Sequence, residues 1–214
     1  MKVLLISTCT YKLSEKEFVL PISNILGSVS HEIFHYRECT VDIINSFDKI
    51  LICGTSLQDN KYLEDMNLFE RLLSNFSGAL LGICSGMQIL CSVFGSSVIT
   101  GSEIGMFEVR TKSSNPISEG NFQAYCLHTK SVMACDNFLV IAETDNSHQI
   151  VKHKDKNFFG VLFHPEVRNE SVIENFLKIY RSLAPLTTFV ALILVKPTTL
   201  EISFTVAAFK SPIV

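Results

Sequence analysis

The chain has 214 residues, of which 47% are hydrophobic and 18% are charged, and its formal net charge is −3. This length and apolar content predict one sizeable domain with a substantial core, and the weakly acidic balance argues against nucleic acid as a partner. The seven cysteines are odd in number and show no CxxC or zinc-like spacing. We therefore expect a reduced, cytoplasmic protein without a structural metal site.

The first half of the sequence alternates apolar strand-like runs with helical patterns. We predict strands at residues 3–6, 32–36, 49–53 and 79–81, and helices at residues 14–26, 41–46, 62–76 and 87–94. Pro21 is expected to kink or restart the first helix, and Gly27 to end it. This alternation predicts a doubly wound α/β domain with a mostly parallel sheet.

The character of the sequence changes after Gly95. Short strand-like runs at residues 97–100, 106–111, 122–127, 138–144, 149–153 and 158–163 predict extra antiparallel strands added to the parallel sheet. A last helix is predicted at residues 169–183, with Asn169 as its N-cap. These elements place the domain at residues 1–183.

Residues 184–214 form a hydrophobic C-terminal extension to which the sequence assigns no role. The apolar run at residues 186–195 is far shorter than the ~20 residues that a membrane-spanning helix needs. A hairpin turning near residues 196–198 is the predicted structure, and no membrane partner is expected.

A cysteine between two glycines marks the change from the strand at 79–81 to the following helix. Gly82 and Gly86 allow a turn too tight for larger residues, which lifts the Cys84 sulfur out of the sheet. The helix N-terminus at that point favours the thiolate. The pattern predicts that Cys84 is a nucleophile.

A nucleophilic cysteine needs a base, and His164-Pro165-Glu166 follows the strand at 158–163. Residues two apart in an extended chain point to the same side, so Glu166 can orient the His164 ring. Because the carboxyl ends of parallel strands meet at one edge of a sheet, Cys84 and His164 are expected to lie close together.

The sequence GICSGMQ at residues 82–88, followed by HPE at residues 164–166, resembles the class I (triad) glutamine amidotransferase family over residues 1–183. The resemblance implies a flavodoxin-like fold and hydrolysis of glutamine. It implies Cys84 as the nucleophile, His164 as general base and then acid, and Glu166 as its orienting group. It implies no cofactor in this chain.

The resemblance also implies an oxyanion hole made by the backbone N–H groups of Ser85 and Gly54, with Gln88 helping to bind the substrate. Here the sequence departs from the family pattern, because Cys53-Gly54-Thr55 stands where Gly-Gly-Pro is usual. We therefore expect activity to depend on how this loop is held.

Within the family, Glu103-Ile104-Gly105 and His128 most resemble the amidotransferase subunit of GMP synthase, although Lys130 replaces a usual aspartate. The amidotransferase subunits of anthranilate and aminodeoxychorismate synthases remain alternatives. The chain contains no synthetase module, so the ammonia would pass to a partner synthetase that binds ATP and Mg²⁺. Further alternatives are a γ-glutamyl peptidase on the same fold and a degenerate, non-catalytic regulatory subunit.

Overall fold

The computed structural model describes residues 1–179. Nine strands form one sheet, with β1 at Val3–Ser7, β2 at His31–His35, β3 at Lys49–Ile52, β4 at Ala79–Ile83, β5 at Ser97–Thr111, β6 at Phe122–Met133, β7 at Phe138–Glu143, β8 at His148–His153 and β9 at Phe158–Val161. The order across the sheet is β2-β1-β3-β4-β9-β8-β7-β5-β6. Strands β2, β1, β3, β4 and β9 are parallel, and the remaining neighbours pair antiparallel.

Helices cover both faces of the parallel part of the sheet. They are α1 at Glu15–Phe18, α2 at Leu20–Leu26, α3 at Val41–Asn45, α4 at Met66–Leu73, α5 at Ser85–Val93 and α6 at Ser171–Leu177. Alternate residues of β1 belong to different cores: Leu5 packs with α2 and α6, and Leu4 packs with α3, α4 and α5. This two-sided burial explains why the parallel strands are continuous apolar runs.

The predicted fold class is confirmed: the sheet is mostly parallel in its first half and antiparallel in its second half. The first helix does break, because α1 ends at Phe18 and α2 begins at Leu20 with Pro21 in its first turn. A proline is tolerated in a first turn because the N–H groups there have no helical partner.

Three predicted element boundaries are wrong. The runs at 97–100 and 106–111 form the single strand β5, whose register shifts between Thr100 and Glu103. The helix predicted at 62–76 begins as a 3-10 helix over Lys61–Asp65. Asn169 is not an N-cap: it has a positive φ of 78°, and Glu170 precedes the first residue of α6.

The predictions for residues 184–214, including the hairpin near 196–198 and the domain boundary at 183, lie outside the described residues. Within residues 1–179 no helix combines the length and the apolar character needed to cross a bilayer.

Candidate active site

Cys84 occupies a strained turn between β4 and α5. Its backbone has φ 50° and ψ −106°, and within residues 1–179 only Asn169 is another non-glycine residue with a positive φ. Such a conformation costs of order 1–3 kcal/mol and persists only where the surrounding structure fixes it. Its N–H donates to the Val161 carbonyl of β9 at 2.8 Å, which ties the turn to the neighbouring strand.

The two flanking glycines are required by close backbone contacts. A Cβ atom on Gly82 would lie 2.4 Å from the Gly86 carbonyl oxygen, and one on Gly86 would lie 2.2 Å from that of Ile52. These distances are far inside van der Waals contact. The glycines therefore let α5 start directly against β3 and β4, which is the turn that the sequence predicted.

His164 and Glu166 form a buried pair at the end of β9. Nδ1 of His164 lies 2.7 Å from Oε1 of Glu166, and both side chains are 1% exposed. The segment is a turn rather than an extended chain, since the N–H of Val167 donates to the His164 carbonyl at 3.2 Å. The predicted pairing is present, but the turn produces it and strand alternation does not.

The His164 ring lies beside Cys84. Burial lowers the pKa of His164, but the negative charge of Cys84 and the bond to Glu166 raise it, and the net pKa is well above the usual 6.5. Nε2 of His164 forms no hydrogen bond within residues 1–179, so we attribute the effect of Cys84 to the nearness of its charge. Nε2 is thus the nitrogen available for proton transfer.

Gly54 lies against both of these residues. A Cβ atom there would be 2.9 Å from Cε1 of His164 and 3.5 Å from Cβ of Cys84. A side chain at this position would displace the imidazole, so the one glycine retained in Cys53-Gly54-Thr55 is the one that the site requires.

Two hydroxyl groups fix the peptide that precedes Gly54. The Cys53 carbonyl accepts from Oγ1 of Thr8 at 3.1 Å and from Oγ of Ser85 at 3.2 Å, and these hydroxyls are 3.0 Å apart. In a trans peptide the C=O and N–H point in opposite directions. Holding the Cys53 carbonyl therefore also fixes the direction of the Gly54 N–H.

The rest of this loop is held by Asp59. Its carboxylate accepts from the N–H and hydroxyl of Thr10 at 2.7 and 2.6 Å, and from the Thr55 hydroxyl at 2.9 Å. Burial raises the pKa of Asp59, but the bonds from Thr10 and Thr55 outweigh it and hold the pKa below its usual value. The loops after β1 and after β3 are therefore bonded to each other.

Gln88 is buried in the pocket next to Cys84 and does not lie on the helix surface. Its Oε1 accepts from the Tyr62 hydroxyl at 2.5 Å, and its Nε2 donates to the Lys130 carbonyl at 3.2 Å. Gln88, Tyr62, Cys84 and Ser85 line this pocket together with the β3–α4 loop and residues 127–130 of β6.

Sequence reasoning missed several residues of the site. Tyr62 and Asp59 carry no motif, and only their contacts reveal them. Glu103 and His128 belong to the motif that resembles the GMP synthase subgroup, but the sequence did not predict that both are buried. The available signal was an acidic residue between two predicted strands and a histidine directly after a third, because a buried charge requires a partner.

A doubly wound sheet with a cysteine at a strained strand-to-helix turn, next to a buried His–Glu pair, has the arrangement of a nucleophile elbow. The family model for class I glutamine amidotransferases matches residues 22–179, and the chain belongs to this family. Its enzyme class is glutamine amidotransferase.

Two archaeal relatives share one description, each being a subunit of the glutamine-hydrolysing GMP synthase. The one from Sulfurisphaera tokodaii is 30% identical over 152 residues, covering 66% of this chain and 81% of the relative. The one from Methanosphaera stadtmanae is 29% identical over 137 residues, covering 59% and 74%. This chain is thus homologous to glutamine-hydrolysing subunits of GMP synthases.

Solved structures agree on the fold. A Thermoplasma acidophilum protein described as a GMP synthase subunit superposes with a TM-score of 0.73 at 19% identity, covering 83% of this chain and 92% of that one. A glutamine amidotransferase from Thermotoga maritima gives a TM-score of 0.61 at 18% identity, covering 83% and 80%.

Proposed function

We propose that this chain hydrolyses the side-chain amide of glutamine through a thioester on Cys84. The thiolate attacks the amide carbon, and the N–H groups of Ser85 and Gly54 donate to the resulting oxyanion. The His164 imidazolium then gives its proton to the departing nitrogen. Ammonia leaves and the γ-glutamyl thioester remains.

Release of glutamate uses the same groups in reverse. Neutral His164 takes a proton from water as the water oxygen attacks the thioester carbon, and collapse of this second intermediate releases glutamate and the Cys84 thiolate. Glu166 holds the ring through Nδ1 during both steps, and Gln88 contributes to glutamine binding.

The observation that carries this proposal is the geometry around Cys84. A nucleophile at φ 50° lies beside a histidine whose other nitrogen is bonded to a buried carboxylate at 2.7 Å. Gly54, at the second oxyanion position, lies against both Cys84 and His164. Each group needed for amide hydrolysis is thus within reach of one sulfur atom.

We further propose that a separate synthetase subunit receives the ammonia, and that ATP and Mg²⁺ bind to that partner. Support comes from the two archaeal relatives, each of which is described as one subunit of a GMP synthase. The synthetase subunit of a GMP synthase is therefore the first candidate partner. We assign no cofactor to this chain.

The test is to measure glutamate release from glutamine by the purified chain, first without a partner and then with the synthetase subunit of a GMP synthase in the presence of ATP and Mg²⁺. We expect release that increases when the synthetase is added. Cleavage of γ-glutamyl peptides without any partner would instead favour a peptidase. No hydrolysis with the partner, together with no labelling of Cys84 by a glutamine-analogue electrophile, would favour a non-catalytic regulatory subunit.

We predict that Asp59→Asn lowers kcat for glutamine hydrolysis roughly tenfold or more. The NH₂ of the introduced amide cannot accept the hydrogen bonds that Thr10 and Thr55 donate to the carboxylate, so the loop that carries Gly54 loosens. Alkylation of Cys84 by iodoacetamide does not pass through an oxyanion. The rate of this alkylation should therefore be the same in Asp59→Asn as in the wild type. Asp136→Asn removes an exposed carboxylate and is the control. Equal loss of hydrolysis and alkylation would contradict a role of Asp59 in oxyanion binding.

A further inference from the structure

A buried polar cluster of four side chains, Glu103 of β5, His128 of β6, Thr144 and Gln149, lies beside the active-site pocket. The Glu103 carboxylate accepts from the Thr144 hydroxyl at 2.6 Å, from Nε2 of Gln149 at 2.6 Å and from Nε2 of His128 at 3.2 Å. The side chains of Glu103 and His128 are 0% and 1% exposed. His128 also lines the pocket that contains Cys84.

The hydrogen bonds define the charge of both residues. Thr144 and Gln149 present donors to Glu103, which therefore acts as an acceptor through both oxygens. Nδ1 of His128 lies 3.0 Å from the Gly101 carbonyl oxygen, so both ring nitrogens face acceptors. A neutral imidazole has only one N–H, and only the imidazolium satisfies both contacts. Hydrogen bonds from His128 and Thr144 outweigh burial and lower the pKa of Glu103.

Metal binding does not explain this cluster. The ligand atoms of Glu103, Cys126 and His128 lie within 4.8 Å of one another. However, burial raises the pKa of Cys126 to about 12, whereas a metal requires the thiolate. Sγ of Cys126 also contacts Oε1 of Gln149 at 3.7 Å, and the donors and acceptors of the cluster are already matched.

The pair bridges an irregular point in the β5–β6 ladder. The register shifts between Thr100 and Glu103, opposite residues 128–130 of β6. His128 bonds to the Gly101 carbonyl within this irregularity and to the Glu103 side chain at its end. Side-chain bonds here supplement a ladder whose spacing is interrupted.

The segment held in this way is one wall of the pocket. The Leu127 carbonyl oxygen lies 3.7 Å from Sγ of Cys84, and the Lys130 carbonyl accepts from Gln88 at 3.2 Å. Residues 127–130 therefore contact both the nucleophile and the proposed glutamine-binding residue. A displacement of this wall would change the position of glutamine relative to the sulfur.

We propose that Glu103 and His128 are positioning residues, a carboxylate–imidazolium pair that fixes residues 127–130 against Cys84 and Gln88. The proposal rests on the proposed hydrolysis of glutamine for its purpose, but the charge of His128 is measurable without substrate. The titratable groups that face His128 are Glu103 from β5 and Cys126 from β6, and Asp59, Cys84 and Lys130 share its pocket.

The charge is tested by NMR of the full chain with ¹⁵N-labelled histidine rings. The chain has six histidines, and the His128 signals are assigned by their loss in His128→Gln. At neutral pH we expect protons on both ring nitrogens of His128 in the wild-type chain, because both nitrogens face acceptors, and a proton on only one of them in Glu103→Gln. A His128 ring with a single proton in the wild-type chain at neutral pH would overturn the proposal.

The positioning role is tested by a charge swap. Glu103→Gln should lower kcat/KM for glutamine by roughly 10- to 100-fold, a typical effect of a misplaced substrate. The double variant E103Q/Q149E restores a donor–acceptor match between the two side chains but moves the carboxylate away from His128. We expect it to recover thermal stability without recovering kcat/KM. Recovery of both would show that the cluster contributes packing alone.

Failure of the proposed function is distinguishable from failure of this inference. If the wild-type chain hydrolyses no glutamine, the backbone amide shifts of residues 127–130 and Gln88 become the readout. They should move in Glu103→Gln and stay unchanged in Glu108→Gln, which removes an exposed carboxylate from the same strand. Unchanged shifts in Glu103→Gln would overturn the positioning role.

Discussion

Replacing Cys84 by alanine is expected to lower glutamine hydrolysis by at least about 10⁴-fold, because the removal of a covalent nucleophile leaves only binding and oxyanion donors. Cys84 is 5% exposed and tied to β9 through its N–H, so the truncation removes one sulfur atom and leaves the backbone bonds in place. The measurement is glutamate release with the partner present, together with circular dichroism of the variant. Appreciable hydrolysis by the alanine variant would exclude a Cys84 thioester.

Cys84→Gly is the matched variant that separates chemistry from strain. It should be as inactive as Cys84→Ala, but its free energy of unfolding should be higher by about 1 kcal/mol, because glycine adopts φ 50° without the Cβ clash. Denaturant unfolding of the two variants measures the difference. Equal stabilities would show that this turn stores little strain.

Glu166→Gln is expected to lower kcat/KM by about 10²- to 10⁴-fold and to move its alkaline limb to lower pH. The reason is the sign of the His164 shift. Despite burial, Cys84 and Glu166 raise the pKa of His164 well above 6.5, so the imidazolium of the active ion pair persists as the pH rises. Without the carboxylate the ring loses its proton at lower pH, and activity is lost there too.

The pH profile of kcat/KM, recorded for the wild type, Glu166→Gln and the exposed control Glu170→Gln, measures this shift. The control changes net charge equally within a few residues and should leave the profile unchanged. A lower plateau with an unmoved alkaline limb would mean that Glu166 orients His164 without stabilising its charge.

Much of the fold and the core of the candidate site follow from local sequence patterns. Apolar runs and helical spacing predicted the parallel strands and their helices, and Pro21 predicted the break between α1 and α2. Two glycines around Cys84 predicted a tight turn because their steric requirement is local. The short spacing between His164 and Glu166 predicted their contact, although the turn that joins them was not foreseen.

Tertiary structure alone decided how the pocket is held. Asp59 bonds to Thr10 across 49 residues, and Glu103 to Gln149 across 46. A buried charge requires partners, but periodicity does not show which strands will be neighbours, and those partners come from whichever elements the sheet order brings together. The sequence by itself therefore determined the strained turn at Cys84 and its His–Glu motif. The hydroxyl and carboxylate contacts that fix Gly54 and residues 127–130 depend on long-range strand order.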